Sequence, residues 1–396
     1  MKKLLLIVIA LLLVVACLPT TILAEQTNDD YKNSETYKLL EEFVTLHPNR
    51  SGEDNEYEAA KYIFSKFVNL HVASDTMLAL PDMQKFTYDG YESHNVILHK
   101  DNKNTTDCIV IGAHYDSSNF SQGANDNASG VVALLQIADE LKDVNLPFDV
   151  YFVAFGGEEQ GLFGSQYFVD SFFQYTQPRL PLTSIRVMFN LDSIANGDNL
   201  YVHCENKSTS LANLILQNAT GKAELLEKPH AVGVFNADMW GYGYYEYIQG
   251  SDHTPFRVAG VPVANFFSGN FQNWNFVEST NASKNTMNTA SDKLENCNQS
   301  WIDKIDTVVD TVVATVVHGD FASVSQNARK ELLNLDFWYN RLWPKIVAVV
   351  IVIVLAVLAV LHNRKLQKQA LMGTAQANTT RIFETPSADD IFTFKD

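Results

Sequence analysis

The side chains best suited to chemistry stand at the ends of three apolar runs. The first run, Cys108-Ile109-Val110-Ile111, turns through Gly112-Ala113 into His114-Tyr115-Asp116-Ser117. A short polar loop then leads to Gly123-Ala124-Asn125-Asp126-Asn127-Ala128-Ser129-Gly130. The second run, Asp149–Phe155, ends in Gly156-Gly157-Glu158-Glu159, and the third, Arg186–Leu191, ends in Asp192. Imidazole and carboxylate are donor types that hold Zn²⁺ and let it activate water. One histidine after one strand is ordinarily a surface residue, and Asp-Asn ordinarily caps a helix. Three successive strands that each deliver a metal-competent side chain at one edge point to a metal site instead.

The elements that must position these groups follow from the apolar spacing. Behind the polar loop, Gly130–Ala138 has helical periodicity, so strand, loop and helix make half of a parallel βαβ unit. Ligands in open α/β sheets gather at the carboxyl ends of strands, which puts His114 and Asp126 at the mouth of a site. Further helices are predicted over Thr36–Phe43, Glu56–Leu70, Leu211–Asn218 and Trp301–His318, and strands over Asn95–Leu98, Asn199–His203 and Val261–Phe267. The stretch His47–Gly52 reads as a turn, Asp82–Tyr91 as polar and aromatic, and Ser251-Asp252-His253-Thr254-Pro255 as a helix start. Ala231–Tyr247, rich in Gly and Tyr, suits a pocket wall or a surface loop.

The chain has 396 residues, with 46 acidic against 29 basic side chains and a net charge of −17. That balance argues against nucleic acid as a partner and is ordinary for an extracellular enzyme. Lys2 and Lys3 followed by the apolar run Leu4–Ala16 mark residues 1–24 as a signal peptide. Val14-Val15-Ala16-Cys17 also resembles a bacterial lipoprotein cleavage box, which leaves an N-terminal lipid anchor at Cys17 as an alternative. Cys108, Cys204 and Cys297 are too few for a disulfide framework, though one pair such as Cys204 with Cys297 is open. Ile346–Leu361 is an uninterrupted apolar run of sixteen residues, flanked by Trp338, Tyr339 and Trp343 on one side and Arg364-Lys365 on the other. It reads as a transmembrane helix with interfacial flanks. The resulting plan is a signal peptide over 1–24, a catalytic domain over 36–318, a juxtamembrane linker over 319–345, a span over 346–361 and a polar, unstructured cytoplasmic tail over 362–396.

Taken together, Gly112–Ser117, Gly123–Gly130, Phe155–Ser165, Asn190-Leu191-Asp192 and Ser251–Phe256 resemble the clan MH zinc exopeptidases. These are the secreted bacterial leucyl-type aminopeptidases, plasma glutamate carboxypeptidase and their relatives. The likeness covers about residues 36–318 and includes Arg50-Ser51-Gly52 and His94–Ile97. It implies a three-layer α/β/α domain with a mostly parallel mixed sheet, to which the C-terminal transmembrane helix is added. It also implies roles. His114 and Asp192 bind one zinc, Asp126 bridges two, Glu159 binds the second, Glu158 is the general base, and Asp116 orients His114. The substrate would be a peptide.

One segment departs from the family pattern. The last zinc ligand is a histidine in Tyr-His-Thr-x-x-Asp, and here the matching segment is Met287-Asn288-Thr289-Ala290-Ser291-Asp292. An amide is a poor zinc ligand beside imidazole, so one tight zinc and a weakened second site are expected, with His253 as a substitute donor to be tested. Two functions follow. The first is a membrane-anchored extracellular zinc exopeptidase, best read as an aminopeptidase of reduced activity. The second is a metal-poor, inactive relative whose ectodomain binds a partner, as the transferrin receptor ectodomain does on this fold.

Overall fold

In the computed structural model the described residues are 29–74, 78–103, 106–204, 209–222, 226–227, 250–270, 278–321 and 343–382. The leader over 1–24 with Cys17, the Ala231–Tyr247 stretch and most of the 319–345 linker lie outside them. The chain divides into two compact units, Met1–Arg329 and Lys330–Asp396.

The first unit is built on one sheet. Its strands are β1 (Asp82–Tyr88), β2 (Tyr91–Lys100), β3 (Cys108–His114), β4 (Asp149–Phe155), β5 (Ile185–Leu191), β6 (Asn199–Cys204), β7 (Leu226–Glu227) and β8 (Val263–Gly269). They lie in the order β1-β2-β4-β3-β5-β8-β6-β7. The pairs β3–β4, β3–β5, β5–β8 and β6–β7 are parallel. The pairs β1–β2, β2–β4 and β6–β8 are antiparallel. The sheet is therefore mixed and mostly parallel, as expected.

The central strands are apolar throughout because both of their faces are covered. Ile109, Ile111 and Ala113 of β3, with Val150, Phe152 and Ala154 of β4, point into one core. That core is closed by helices α1 (Glu35–Leu46), α2 (Glu53–Ala73), α3 (Gly130–Leu141), α5 (Thr209–Gln217) and α7 (Gln299–His318). The alternate residues Cys108, Val110, Tyr151, Val153 and Phe155 point into a second core. Phe168 and Phe172 of α4 (Phe163–Tyr175) and Phe256 of α6 (His253–Val258) cover it. Each fully buried Leu, Ile or Phe contributes about 1.5–3 kcal/mol, so these two-sided runs belong in the middle of a sheet. The result is the three-layer α/β/α arrangement.

The polar and aromatic stretch Asp82–Tyr91 forms β1 and the start of β2; in β1, on the sheet edge, Gln84 and Phe86 are buried, Met83 is half-buried and Asp82, Lys85, Thr87 and Tyr88 face water. Two expectations need correction. No disulfide joins Cys108, Cys204 and Cys297 to one another, so the Cys204–Cys297 pair does not form. In the second unit, helix α8 runs from Trp343 to Ile382, twenty-one residues beyond Leu361, because Leu366, Lys368, Gln369 and Ala370 are strong helix formers. Its Pro344–Gln369 part, 26 residues, is long and apolar enough to cross a membrane.

Candidate metal centre

β3 ends at His114, and its imidazole is buried at the carboxyl edge of the sheet. His114 Nε2 lies 3.2 Å from Asp126 Oδ1 and 3.4 Å from Asp192 Oδ1. His114 Nδ1 lies 3.4 Å from Asp116 Oδ1. His114, Glu158 and Asp192 each offer a donor atom within 4.8 Å of the other two. So four of the six residues singled out from sequence, His114, Asp126, Glu158 and Asp192, converge directly. Asp116 stands behind the imidazole. Its Oδ2 accepts the Glu159 N–H at 2.9 Å, which ties the histidine strand to the Glu158-Glu159 turn. Glu159 keeps one carboxylate oxygen, Oε1, buried and without a hydrogen-bond partner.

The approach of Asp126 to Asp192 depends on small and amide side chains. Asp126 sits in a kinked turn over Ala124–Ser129, and its peptide to Asn127 is cis. Gly130 then lets α3 start against β5, since a Cβ there would overlap the Leu191 carbonyl. Asn127 donates to Leu191 O at 2.8 Å and accepts Ser193 N–H at 3.1 Å, so it grips the chain on both sides of Asp192. Asn125 Oδ1 accepts the N–H groups of Ala195 and Asn196 at 2.9 and 2.8 Å.

The electrostatics are those of an anionic pocket whose carboxylates are buried or half-buried. Burial pushes the Glu158 carboxyl well above its ordinary range, with Asp252, Asp192 and Asp116 adding to it against the opposing charge of His114. Burial and Asp126 push Glu159 up to about 8. Asp252 rises to about 7, again chiefly by burial. For Asp192 burial acts upward, but bonds from His114, Ser251 and Ser193 more than offset it and hold the carboxyl low. His114 is disfavoured as a cation by burial, yet Glu158 and the three aspartates raise it well above its ordinary value. Buried carboxylates this close repel one another unless a cation stands between them.

The Asn288 segment is held against this pocket from behind. Glu278 accepts the N–H groups of Thr286 and Met287, and Asp292 accepts those of Asn125 and Asp126. Asn288 itself is exposed, at a turn closed by Thr289 N–H to Thr286 O at 3.0 Å, with φ of 56°. Asparagine is one of the few side chains that accept that left-handed conformation readily. His253 is fully buried at the start of α6 and is not one of the three mutually close donors.

The sequence model of peptidase family M28 matches residues 95–313, more than half of the chain. This chain belongs to peptidase family M28. Aminopeptidase YwaD of Bacillus subtilis is 34% identical over 190 residues, which is 46% of this chain and 37% of that protein. Leupeptin-inactivating enzyme 1 of Streptomyces exfoliatus is 25% identical over 299 residues, 74% of this chain and 62% of that protein. The chain thus spans about a third to three fifths of the length of these M28 relatives. The LapA aminopeptidase of Legionella pneumophila superposes with a TM-score of 0.55 at 19% identity, covering 74% of this chain and 75% of that one. That likeness is one of fold.

The M28 donor set suits a zinc ion on the chemistry of the residues themselves. One imidazole and several carboxylates meet at the sheet edge, and Glu159 adds a buried oxygen without a hydrogen-bond partner. Sequence reasoning missed much of the frame. Arg50 is fully buried, and its guanidinium donates to the carbonyls of Tyr115, His47, Gln122 and Gly123. Lys304 of α7 donates to the carbonyls of Ala195 and Gly197 in the loop after Asp192. Glu56 is a buried carboxylate that accepts the hydroxyls of Tyr91 and Ser93, and Asp292 one that accepts the N–H groups of Asn125 and Asp126. Arg50-Ser51-Gly52 and Asp292 stood in recognisable motifs. Lys304 and Glu56 carried no signal.

Proposed function

We propose that this protein is a zinc-dependent aminopeptidase that removes N-terminal residues from peptides. The observation that carries the reading is the meeting of His114 Nε2 with Asp126 Oδ1 and Asp192 Oδ1 beside Glu158. His114, Asp126 and Asp192 would hold one zinc, and Glu159 with Asp126 would offer a weaker second place. Zinc bound there supplies a Lewis acid and acidifies water toward neutral pH. Asp116 Oδ1 lies 3.4 Å from Nδ1 on the far side of the imidazole, where its charge would favour the tautomer that leaves Nε2 free to ligate. Glu158 takes the proton of the attacking water and passes it to the leaving amine. Asn288 replaces the family's last histidine ligand, so reduced activity is part of the reading.

The same reading places residues 36–318 outside the cell as the catalytic domain, after a leader over 1–24. Residues 319–345 are then a linker, 346–361 the membrane span, and 362–396 a cytoplasmic tail. Protease added to intact cells should remove the N-terminal domain and leave a small C-terminal fragment; digestion of the tail instead would reverse the orientation.

The deciding experiment pairs zinc content with leucine p-nitroanilide hydrolysis in the full-length protein and in Glu158→Gln. The wild type should hold zinc and hydrolyse the substrate. The variant should keep its zinc and lose about 10²–10⁴-fold in kcat. Equal rates would remove Glu158 from the mechanism.

A further inference from the structure

We propose that Glu278 is a positioning residue for the metal centre, holding the Asp126 turn against the loop that follows Asp192. The proposal rests on the reading of Asp126 and Asp192 as zinc ligands. Glu278 is 3% exposed, and each of its oxygens accepts from two N–H donors. The side-chain amides of Asn125 and Asn196 donate to Oε1 at 3.3 and 3.0 Å. The main-chain N–H groups of Thr286 and Met287 donate to Oε2, the second at 2.8 Å. Asn125 directly precedes Asp126, and Asn196 stands in the loop after Asp192. One carboxylate oxygen therefore joins the two chain segments that bring these aspartates together.

The backbone of Glu278 is itself fixed to the loop after Asp192. The Asp198 N–H donates to Glu278 O at 2.9 Å. The Asp198 carboxylate accepts Ser279 Oγ at 2.6 Å and the Thr280 N–H at 2.8 Å. From that anchor the side chain crosses to the Asp126 turn. The Asn125 amide has one direction open to it. Its Oδ1 is taken by the N–H groups of Ala195 and Asn196, so its NH₂ turns to Glu278. The Asn196 amide is fixed likewise, since its Nδ2 also donates to Lys284 O at 2.9 Å. The main-chain N–H groups of Thr286 and Met287 cannot reverse. Every one of these partners is a donor, and an ionised carboxylate accepts on both oxygens and donates on neither. Hydrogen bonds to an ionised group are about twice as strong as neutral ones, and groups behind the ligands set metal affinity by fixing where the ligands stand. Asp292 aims Asp126 through its main chain; Glu278 sets how far that turn stands from the loop of Asp192.

The test exchanges donor and acceptor across the Asn125–Glu278 contact in the full-length protein, with zinc as the probe. In Glu278→Gln an NH₂ group must face either the two asparagine amides or the two main-chain N–H groups. In Asn125→Asp two carboxylates face each other. Combining the two substitutions restores the pattern, because the new glutamine donates to the new aspartate. The glutamine oxygen keeps Thr286 and Met287, and the aspartate's other oxygen keeps Ala195 and Asn196. Asn196 retains Lys284 O and Thr286 Oγ1 as acceptors. Each single variant should lose about 10–100-fold in zinc affinity, measured by competition with a chelator. The double variant should bind zinc roughly tenfold more tightly than either single one. Wild-type affinity in a folded Glu278→Gln, or losses that simply add in the double variant, would overturn the proposal. A lowered denaturant midpoint with unchanged affinity would confine Glu278 to stability and overturn it as well. If Glu278→Gln does not fold, Asn125→Asp and the double variant decide: recovery of affinity on adding the second substitution supports the proposal, and a double variant no better than Asn125→Asp refutes it. A wild type that holds zinc and hydrolyses no peptide would sink the aminopeptidase reading alone, with the affinity comparison still deciding for Glu278. A wild type that binds no zinc would sink both.

Discussion

Asp292 accepts the main-chain N–H groups of Asn125 and Asp126, at 2.8 and 2.9 Å, through its two different oxygens. A carboxylate 166 residues downstream thus sets the direction in which Asp126 leaves its turn. In Asp292→Asn an amide NH₂ would face one of those N–H groups. The expected loss is about 1–3 kcal/mol of stability and about 10–100-fold in zinc affinity. Competition with a chelator of known affinity measures the second. Unchanged affinity in a folded variant would confine Asp292 to stability.

Arg50 gives the second prediction. Its guanidinium serves four main-chain carbonyls around the loop from Tyr115 to Gly123. Burial lowers its proton affinity to about 10, still far above neutral, so it stays charged. Arg50→Met leaves several buried acceptors unpaired and should cost about 3 kcal/mol or more. Arg50→Lys should recover only part, because a point charge cannot serve a forked set of acceptors. The denaturant midpoint is the measure, and a midpoint shift of less than a third of that size would refute it.

Lys304 predicts a pH dependence away from the metal. Burial lowers its ammonium to about 8, whereas an unfolded lysine titrates near about 10.4. Between those values the unfolded chain keeps a proton that the folded chain has released. Unfolding then takes up a proton, so this group's contribution to stability rises with pH. Below about pH 8 both states are protonated and the burial cost is complete. The stability difference between wild type and Lys304→Met should therefore move in favour of the wild type from about pH 8 to about pH 10. A flat difference would contradict it.

Asn288 offers a gain of function. Histidine, like asparagine, is enriched among residues that adopt positive φ, so Asn288→His should leave the turn at 56° intact. Zinc per chain, measured after dialysis, should rise from about one toward two, with faster hydrolysis. Met287→Tyr added to it should increase the rate further. A wild type that already holds two tight zincs would refute this and direct attention to another donor.

The parts of this molecule legible in its sequence are those governed by local apolar pattern. β3, β4 and β5 are buried on both faces, so each reads as a continuous apolar run, and the residue after each run lies at the edge where ligands gather. β1 was illegible because an edge strand with one covered face need bury only two side chains of seven. The frame of the pocket was illegible for a different reason. Arg50, Lys304 and Asp292 bond mainly to backbone groups, which every residue carries, so no partner residue type betrays the contact. The far reach of α8 past Leu361 was hidden because its polar half has no apolar stripe to mark it.

Arg50 and Glu56 both precede residue 95, where the family match begins. A shortened protein that starts there would retain His114, Asp126, Glu158, Glu159 and Asp192, the groups given a part in the proposed chemistry. It would have lost the guanidinium that gathers the loop from Tyr115 to Gly123 and the buried carboxylate that packs under Gly156. Such a fragment could look like a natural pseudoenzyme while its defect lay in the cut. For this protein the smallest unit worth assaying begins ahead of α1, and comparisons confined to residues 95–313 understate what the pocket needs.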